Sequence, residues 1–211
     1  MAVVFFDVDG TLVPRTSSGQ HLADRLGHAA VLRDAEAAYA AGTMSNRDVS
    51  VVDARGWAGW APGDVLGFLD SMPLVDGIAD TVTWCRDHDL EPVLATLAWD
   101  VVGGYLCERF GFGQASGPRL DVAGGRYTGA VAGHFDEYGK RDWARSVAAG
   151  HGVELRNCAA VGDSRSDLPL FAEVGLAVAF NASPAAAEAA HVTTEGDDLR
   201  AVLPLLASWL H

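Results

Sequence analysis

Two aspartates one residue apart, in Asp7-Val8-Asp9-Gly10-Thr11, follow directly on the apolar run Val3-Val4-Phe5-Phe6. Side chains at i and i+2 share one side of an extended chain, so both carboxyl groups can reach the space above the strand end. Such a pair suits phosphoryl transfer, in which one carboxylate attacks phosphorus and the second carboxyl serves as acid and base. The same residues also read as a solvated Asp-Gly turn, a common way to leave a strand. Thr96, Lys140 and Gly162-Asp163 are equally open when taken singly: a helix N-cap, an exposed helix-start lysine and another strand-end turn.

The elements around these residues narrow the choice. Val3 to Phe6 and Ala159 to Gly162 are short, wholly apolar runs, which suit strands buried on both faces of a parallel sheet. Helical spacing predicts helices over 77–88, 100–110, 140–149 and 199–210, alternating with strands at 92–95, 159–162 and 176–180, and a helix starting in 168–174. That alternation predicts an α/β fold with helices on both sides of a parallel sheet, whose site lies beyond the carboxyl ends of the strands. Asp7, Thr96 and Asp163 each follow a predicted strand, so all three are expected at one crevice. Ser17 to Met72 is different: Ala- and Leu-rich segments broken near Gly27, Gly42 to Asn46 and Gly56 to Pro62 predict an inserted helical unit. Ala123-Gly124-Gly125-Arg126 predicts a hairpin between 120–122 and 127–131, expected as an appendage at a sheet edge.

The 211 residues, 49% of them hydrophobic, suffice for one full domain and a small insert. Fifteen Lys and Arg against 28 Asp and Glu give a net charge of −13, which disfavours nucleic acid and acidic membrane surfaces as partners. An anionic substrate meets the same repulsion, so phosphate chemistry needs a local positive centre from a metal, a lysine or a helix N-terminus. Cys85, Cys107 and Cys158 match no disulfide or metal-ligand spacing, and neither a leader nor a membrane-spanning run is evident. A cytoplasmic location is the expectation.

Asp7-Val8-Asp9-Gly10-Thr11-Leu12-Val13 resembles the first motif of the haloacid dehalogenase (HAD) superfamily phosphatases. That family next requires a Ser or Thr at a later strand end, then a Lys, then Gly-Asp with a further Asp downstream. Thr96, Lys140 and Gly162-Asp163-Ser164-Arg165-Ser166-Asp167 supply them in that order. The helical insert after the first motif, the return through Pro73-Leu74-Val75-Asp76-Gly77 and the 162–170 segment are most similar to the phosphoserine-phosphatase-like branch. The resemblance implies a Rossmann-like HAD core over 1–13 and 74–211, with a helical cap over 14–73 inserted after the first strand.

By that resemblance Asp7 is the nucleophile of a phosphomonoester hydrolase and forms an aspartyl-phosphate, with Asp9 as acid and base. Mg²⁺ is held by the Asp7 carboxylate, the Asp9 backbone carbonyl and Asp163, with Asp167 beside them. Thr96, Lys140 and backbone N–H groups near Val8 hold the phosphoryl oxygens, and Thr11 supports Asp9 through its hydroxyl. A small phosphorylated metabolite is the implied substrate. Phosphotransfer to an organic acceptor by the same aspartyl-phosphate, or a non-enzymatic phospho-aspartate switch, are the alternatives.

Phosphoserine phosphatases place a Glu soon after the first motif for the substrate amine and an Arg in the cap for its carboxylate. Pro14-Arg15-Thr16-Ser17-Ser18 has no acid, and 47–55 mixes Asp48 and Asp53 with basic residues. Arg165 reads as a substrate contact or as a surface partner of local acids. Trp57, Trp60 and Trp99 read as pocket walls or as core, and the histidines show no metal spacing.

Overall fold

The structure, a computed structural model, describes residues 2–210. Its centre is β1 (Ala2–Phe6), in which Val3, Val4, Phe5 and Phe6 are all buried. Val4 and Phe6 join one apolar cluster and Val3 and Phe5 the other, so both faces of the strand are covered. Burial of this kind contributes roughly 1.5–3 kcal/mol per large apolar side chain. Four further strands complete a parallel sheet: β2 (Leu90–Leu94), β5 (Ala159–Gly162), β6 (Leu176–Phe180) and β7 (Val192–Thr194), in the order β2-β1-β5-β6-β7. On one face lie α5 (Ile78–Asp87), α6 (Asp100–Phe110) and α10 (Leu203–Trp209), through Val82, Leu106 and Leu206; on the other lies α7 (Glu137–Gly150), through Ala144 and Ala148. Among the described residues no helix is long and apolar enough to cross a membrane.

The chain runs outward from β1 to β2 on one side and to β5, β6 and β7 on the other. The strand order therefore reverses between β1 and β5, the switch point at which open parallel sheets leave a crevice at their carboxyl ends. Phe6 is in register with Leu94 of β2 and Val161 of β5, so Asp7 and Asp163 emerge side by side.

Between β1 and α5 four helices occur where the breaks place them: α1 (Ser18–Leu26), α2 (Ala29–Ala40), α3 (Asn46–Gly56) and α4 (Pro62–Leu69). Ser17 caps α1 through Gln20 N–H, Gly27 ends it in the left-handed conformation, and Pro62 opens α4. Ala23, Leu32, Ala35 and Val49 form a small core of their own within this insert. Its base is closed by the Val75 N–H donating to Leu12 O at 2.9 Å.

The hairpin leaves from the sheet edge: residues 113–116, just before it, run beside edge strand β2, where Leu94 N–H donates to Gln114 O and Ser116 N–H to Leu94 O, both at 2.9 Å. β3 (Arg119–Ala123) and β4 (Arg126–Gly133) form a separate two-stranded antiparallel sheet. Tyr127 N–H donates to Trp60 O and Gly59 N–H to Tyr127 O, both at 2.9 Å. These bonds, with Trp57 packed edge-on against Tyr127, bind the hairpin to the helical insert, not to the main sheet. Its turn is as read, with Gly124 and Gly125 both at positive φ.

Candidate active site

The turn after β1 is fixed by its backbone. Asp7 N–H donates to Val161 O of β5 at 2.9 Å, and the Val8 carbonyl accepts from Leu12 N–H at 2.8 Å and Val13 N–H at 2.9 Å. Gly10, at φ +90°, makes this tight loop possible, and a Cβ there would lie 2.2 Å from Asp163 Oδ2. Gly10→Ala is therefore expected to lower stability by about 1–3 kcal/mol and to displace Asp163, read as a reduced melting temperature and a weaker response of that temperature to Mg²⁺.

Lys140 comes from the first turn of α7, whose N-cap is Asp136 accepting from Gly139 N–H. It is fully buried, and its Nζ donates to Asp7 Oδ1 at 2.8 Å and to Asp167 Oδ1 at 2.6 Å. Burial opposes its charge, but the two carboxylates outweigh that and hold the ammonium above its usual range. The other Asp167 oxygen accepts from the N–H groups of Asp163 and Ser164 at 3.0 and 3.1 Å. Asp167 is thus a buried strut between the β5 loop and the lysine.

Asp7, Asp163 and Asp167 each place a carboxylate oxygen within 4.8 Å of the others. One ammonium does not balance them. Burial first, then the neighbouring carboxylates, push Asp7 up to about 7 and Asp163 to about 9. Crowded hard oxygens short of positive charge fit a dication such as Mg²⁺. Asp7 and Asp163 are the residues that would hold it, since both Asp167 oxygens already have partners.

Asp9 lies where α1 begins, its Oδ1 accepting from Ser18 N–H at 2.6 Å. Burial raises its pKa and the Ser18 bond opposes the rise, so the carboxyl is disposed to carry a proton. Thr96 is fully buried in the loop after β2. Its N–H donates to Ser116 Oγ at 2.9 Å, while its own hydroxyl accepts from Ala98 N–H at 3.0 Å, leaving the hydroxyl proton for an acceptor. It does not cap α6, whose N-cap is Trp99. Asp7, Asp9 and Thr96 line one cavity of about 150 Å³ with residues of α1, α2 and α3.

Thr11 goes elsewhere than expected. Its hydroxyl donates to Asp163 Oδ1 at 3.3 Å, not to Asp9, because the Gly10 turn swings it toward β5. Arg165 lies over the Tyr39 ring, 4.5 Å from its centroid, donates to Tyr39 O and pairs with Glu137 at 3.5 Å. It joins the β5 loop to α2 without lining the cavity. Trp57 is core, Trp60 packs on Phe68, and buried Trp99 also walls the cavity. Reasoning from sequence missed Ser18, Ser116 and Glu36. Ser17-Ser18 at a helix start was the one available signal, marking N–H groups that point at an anion.

The model of the haloacid dehalogenase-like hydrolases matches residues 4–172, and the chain belongs to that family. Its relatives place it in the phosphoserine-phosphatase-like branch. A phosphoserine phosphatase of Halobacterium salinarum is 29% identical over 210 residues, 96% of this chain and 97% of that one. One of Streptomyces coelicolor is 41% identical over 102 residues, 48% of this chain and 25% of its own. The chain spans 25% to 61% of the length of the first curated relatives it matches. A phosphoserine phosphatase solved as a phospho-aspartyl intermediate analogue superposes with a TM-score of 0.87 at 23% identity, covering 97% of this chain and 98% of that one.

Proposed function

We propose that this protein is a Mg²⁺-dependent phosphomonoester hydrolase that acts on a small phosphorylated metabolite through phosphorylated Asp7. The observation that carries the reading is the buried Asp7–Lys140–Asp167 bridge, which opens at Asp7 onto a cavity shared with Asp9 and Thr96.

Lys140 occupies one Asp7 oxygen, so the other is the attacking atom. As the Asp7–phosphorus bond forms, the bond from phosphorus to the ester oxygen breaks, and the Asp9 carboxyl gives its proton to that oxygen. The leaving alcohol departs. Asp9, now a carboxylate, takes a proton from water as the water oxygen attacks phosphorus, which releases phosphate and frees Asp7. The Thr96 hydroxyl and the N–H groups near Val8 hold phosphoryl oxygens, and Lys140 offsets their charge. Asp7, Asp163 and the Asp9 backbone carbonyl would hold Mg²⁺, which when bound would supply Lewis-acid stabilisation of the phosphoryl charge and favour the ionised carboxylates. Segment 14–73 acts as a cap that excludes water and admits only small esters.

Phosphate release from small phosphomonoesters tests the reading. EDTA is expected to stop release and Mg²⁺ to restore it, and indifference to both removes the metal. A second readout needs no turnover. With their pKa values raised to about 7 and about 9, Asp7 and Asp163 bind more protons folded than unfolded. The stability this gives is full below about pH 4 and is lost as pH rises through those values. Without metal, the melting temperature should fall from about pH 4 to about pH 9, and the increment added by Mg²⁺ should grow over that range.

A further inference from the structure

We propose, resting on the hydrolase reading above, that the leaving group is an amino alcohol without a carboxylate, its protonated amine held at Glu36. Glu36 comes from α2 and reaches the cavity that contains Asp7 and Asp9. Its Oε1 accepts from Ser17 Oγ at 2.6 Å, which fixes the carboxyl at the mouth of α1. It supplies the acid that segment 14–18 lacks, from another helix. Burial first, with Asp9 and Asp53 adding, pushes Glu36 up to about 7, so a cationic ligand group is the natural relief for it.

No cationic side chain of the cavity lining answers a substrate carboxylate. Among the described residues none that line it is Lys or Arg. Arg47 and Arg55 on α3 are exposed. Arg165 is engaged by Tyr39 and Glu137, and Arg25 by His21 O and Ser71. Asn46, Val49, Ser50 and Asp53 of α3 face the cavity, and the ionisable one among them is Asp53, buried and held by Trp57 Nε1 at 3.2 Å and by His28 Nε2 and Trp99 Nε1 at 2.6 Å each. A carboxylate entering here meets Glu36 and Asp53 with no cation among the lining residues, while an amine meets two acidic acceptors, Asp9 holding its proton until transfer. Leu32, Val49 and Trp99 give the carbon body of the alcohol an apolar wall.

The test is the initial rate with Mg²⁺ on four kinds of ester: p-nitrophenyl phosphate, glycerol phosphate, phosphoserine, and a series of 2-aminoalkyl phosphates starting with phosphoethanolamine. The best aminoalkyl ester is expected to exceed both glycerol phosphate and phosphoserine by about tenfold or more in kcat/KM. Glu36→Gln should bring the ratio of aminoalkyl ester to glycerol phosphate close to one, mainly through KM. Phosphoserine equal to or better than the whole aminoalkyl series overturns the proposal, as does a Glu36→Gln variant that scales every ester alike. Release from neutral esters with no preference for the amine refutes this inference alone. Release from none, p-nitrophenyl phosphate included, removes the hydrolase reading and this inference with it.

Discussion

Asp7→Asn should lower phosphate release by about four orders of magnitude or more while leaving the fold intact. The amide has the shape of the carboxylate but no anionic oxygen to attack phosphorus, so the first bond cannot form. The fold should survive because Lys140 keeps Asp167, and because Asp7, its pKa pushed up to about 7 chiefly by burial, is a charge the folded state holds at a cost. Initial-rate phosphate release and a thermal melt on the same preparation measure both halves. Retained turnover in freshly purified Asp7→Asn removes Asp7 as nucleophile. A collapsed melt would show that the carboxylate is needed structurally.

Lys140→Met should abolish turnover and also destabilise the protein, by about 3–5 kcal/mol. Methionine fills much the same volume, so the loss is electrostatic. Asp7 and Asp167 would be left buried with no counter-ion, the costly way to break an ion pair. Asp167 loses one of three partners, whereas Asp7 loses its only side-chain cation. Denaturant titration measures the effect, and Mg²⁺ should recover part of it by returning positive charge to Asp7. A Lys140→Met variant as stable as the parent would mean that the bridge is not holding the two carboxylates in place.

What the sequence made legible follows from how local each signal is. Val3 to Phe6, Ala159 to Gly162 and Leu176 to Phe180 are apolar on both faces, and each is a strand buried on both sides. The α5 and α6 segments carry helical spacing, and Gly27 and Pro62 mark helix ends in the insert. β7 was not legible: Val-Thr-Thr is three residues at a sheet edge, too short to show a period. Nor was α9 (Pro184–Ala189), an Ala-rich run with a single buried residue. Glu36 stands in no motif, and its bond to Ser17 spans 19 residues. The Thr11 contact needed the sign of φ at Gly10, which no spacing rule supplies.

The reversal of strand order between β1 and β5 has a consequence for synthesis. Asp7 leaves the ribosome well before its partners, for the hydroxyl bond from its loop to Asp163 spans 152 residues, and Lys140 is 133 residues away. Contacts so remote close late, after the chain has met their entropic cost. A nascent chain therefore carries its aspartates apart, and they gather into a metal-hungry cluster only when β5 docks beside β1. On the Mg²⁺ reading proposed above, the ion would be drawn only once β5 has docked beside β1, so it would stabilise molecules that have made this pairing and pass over those that have not.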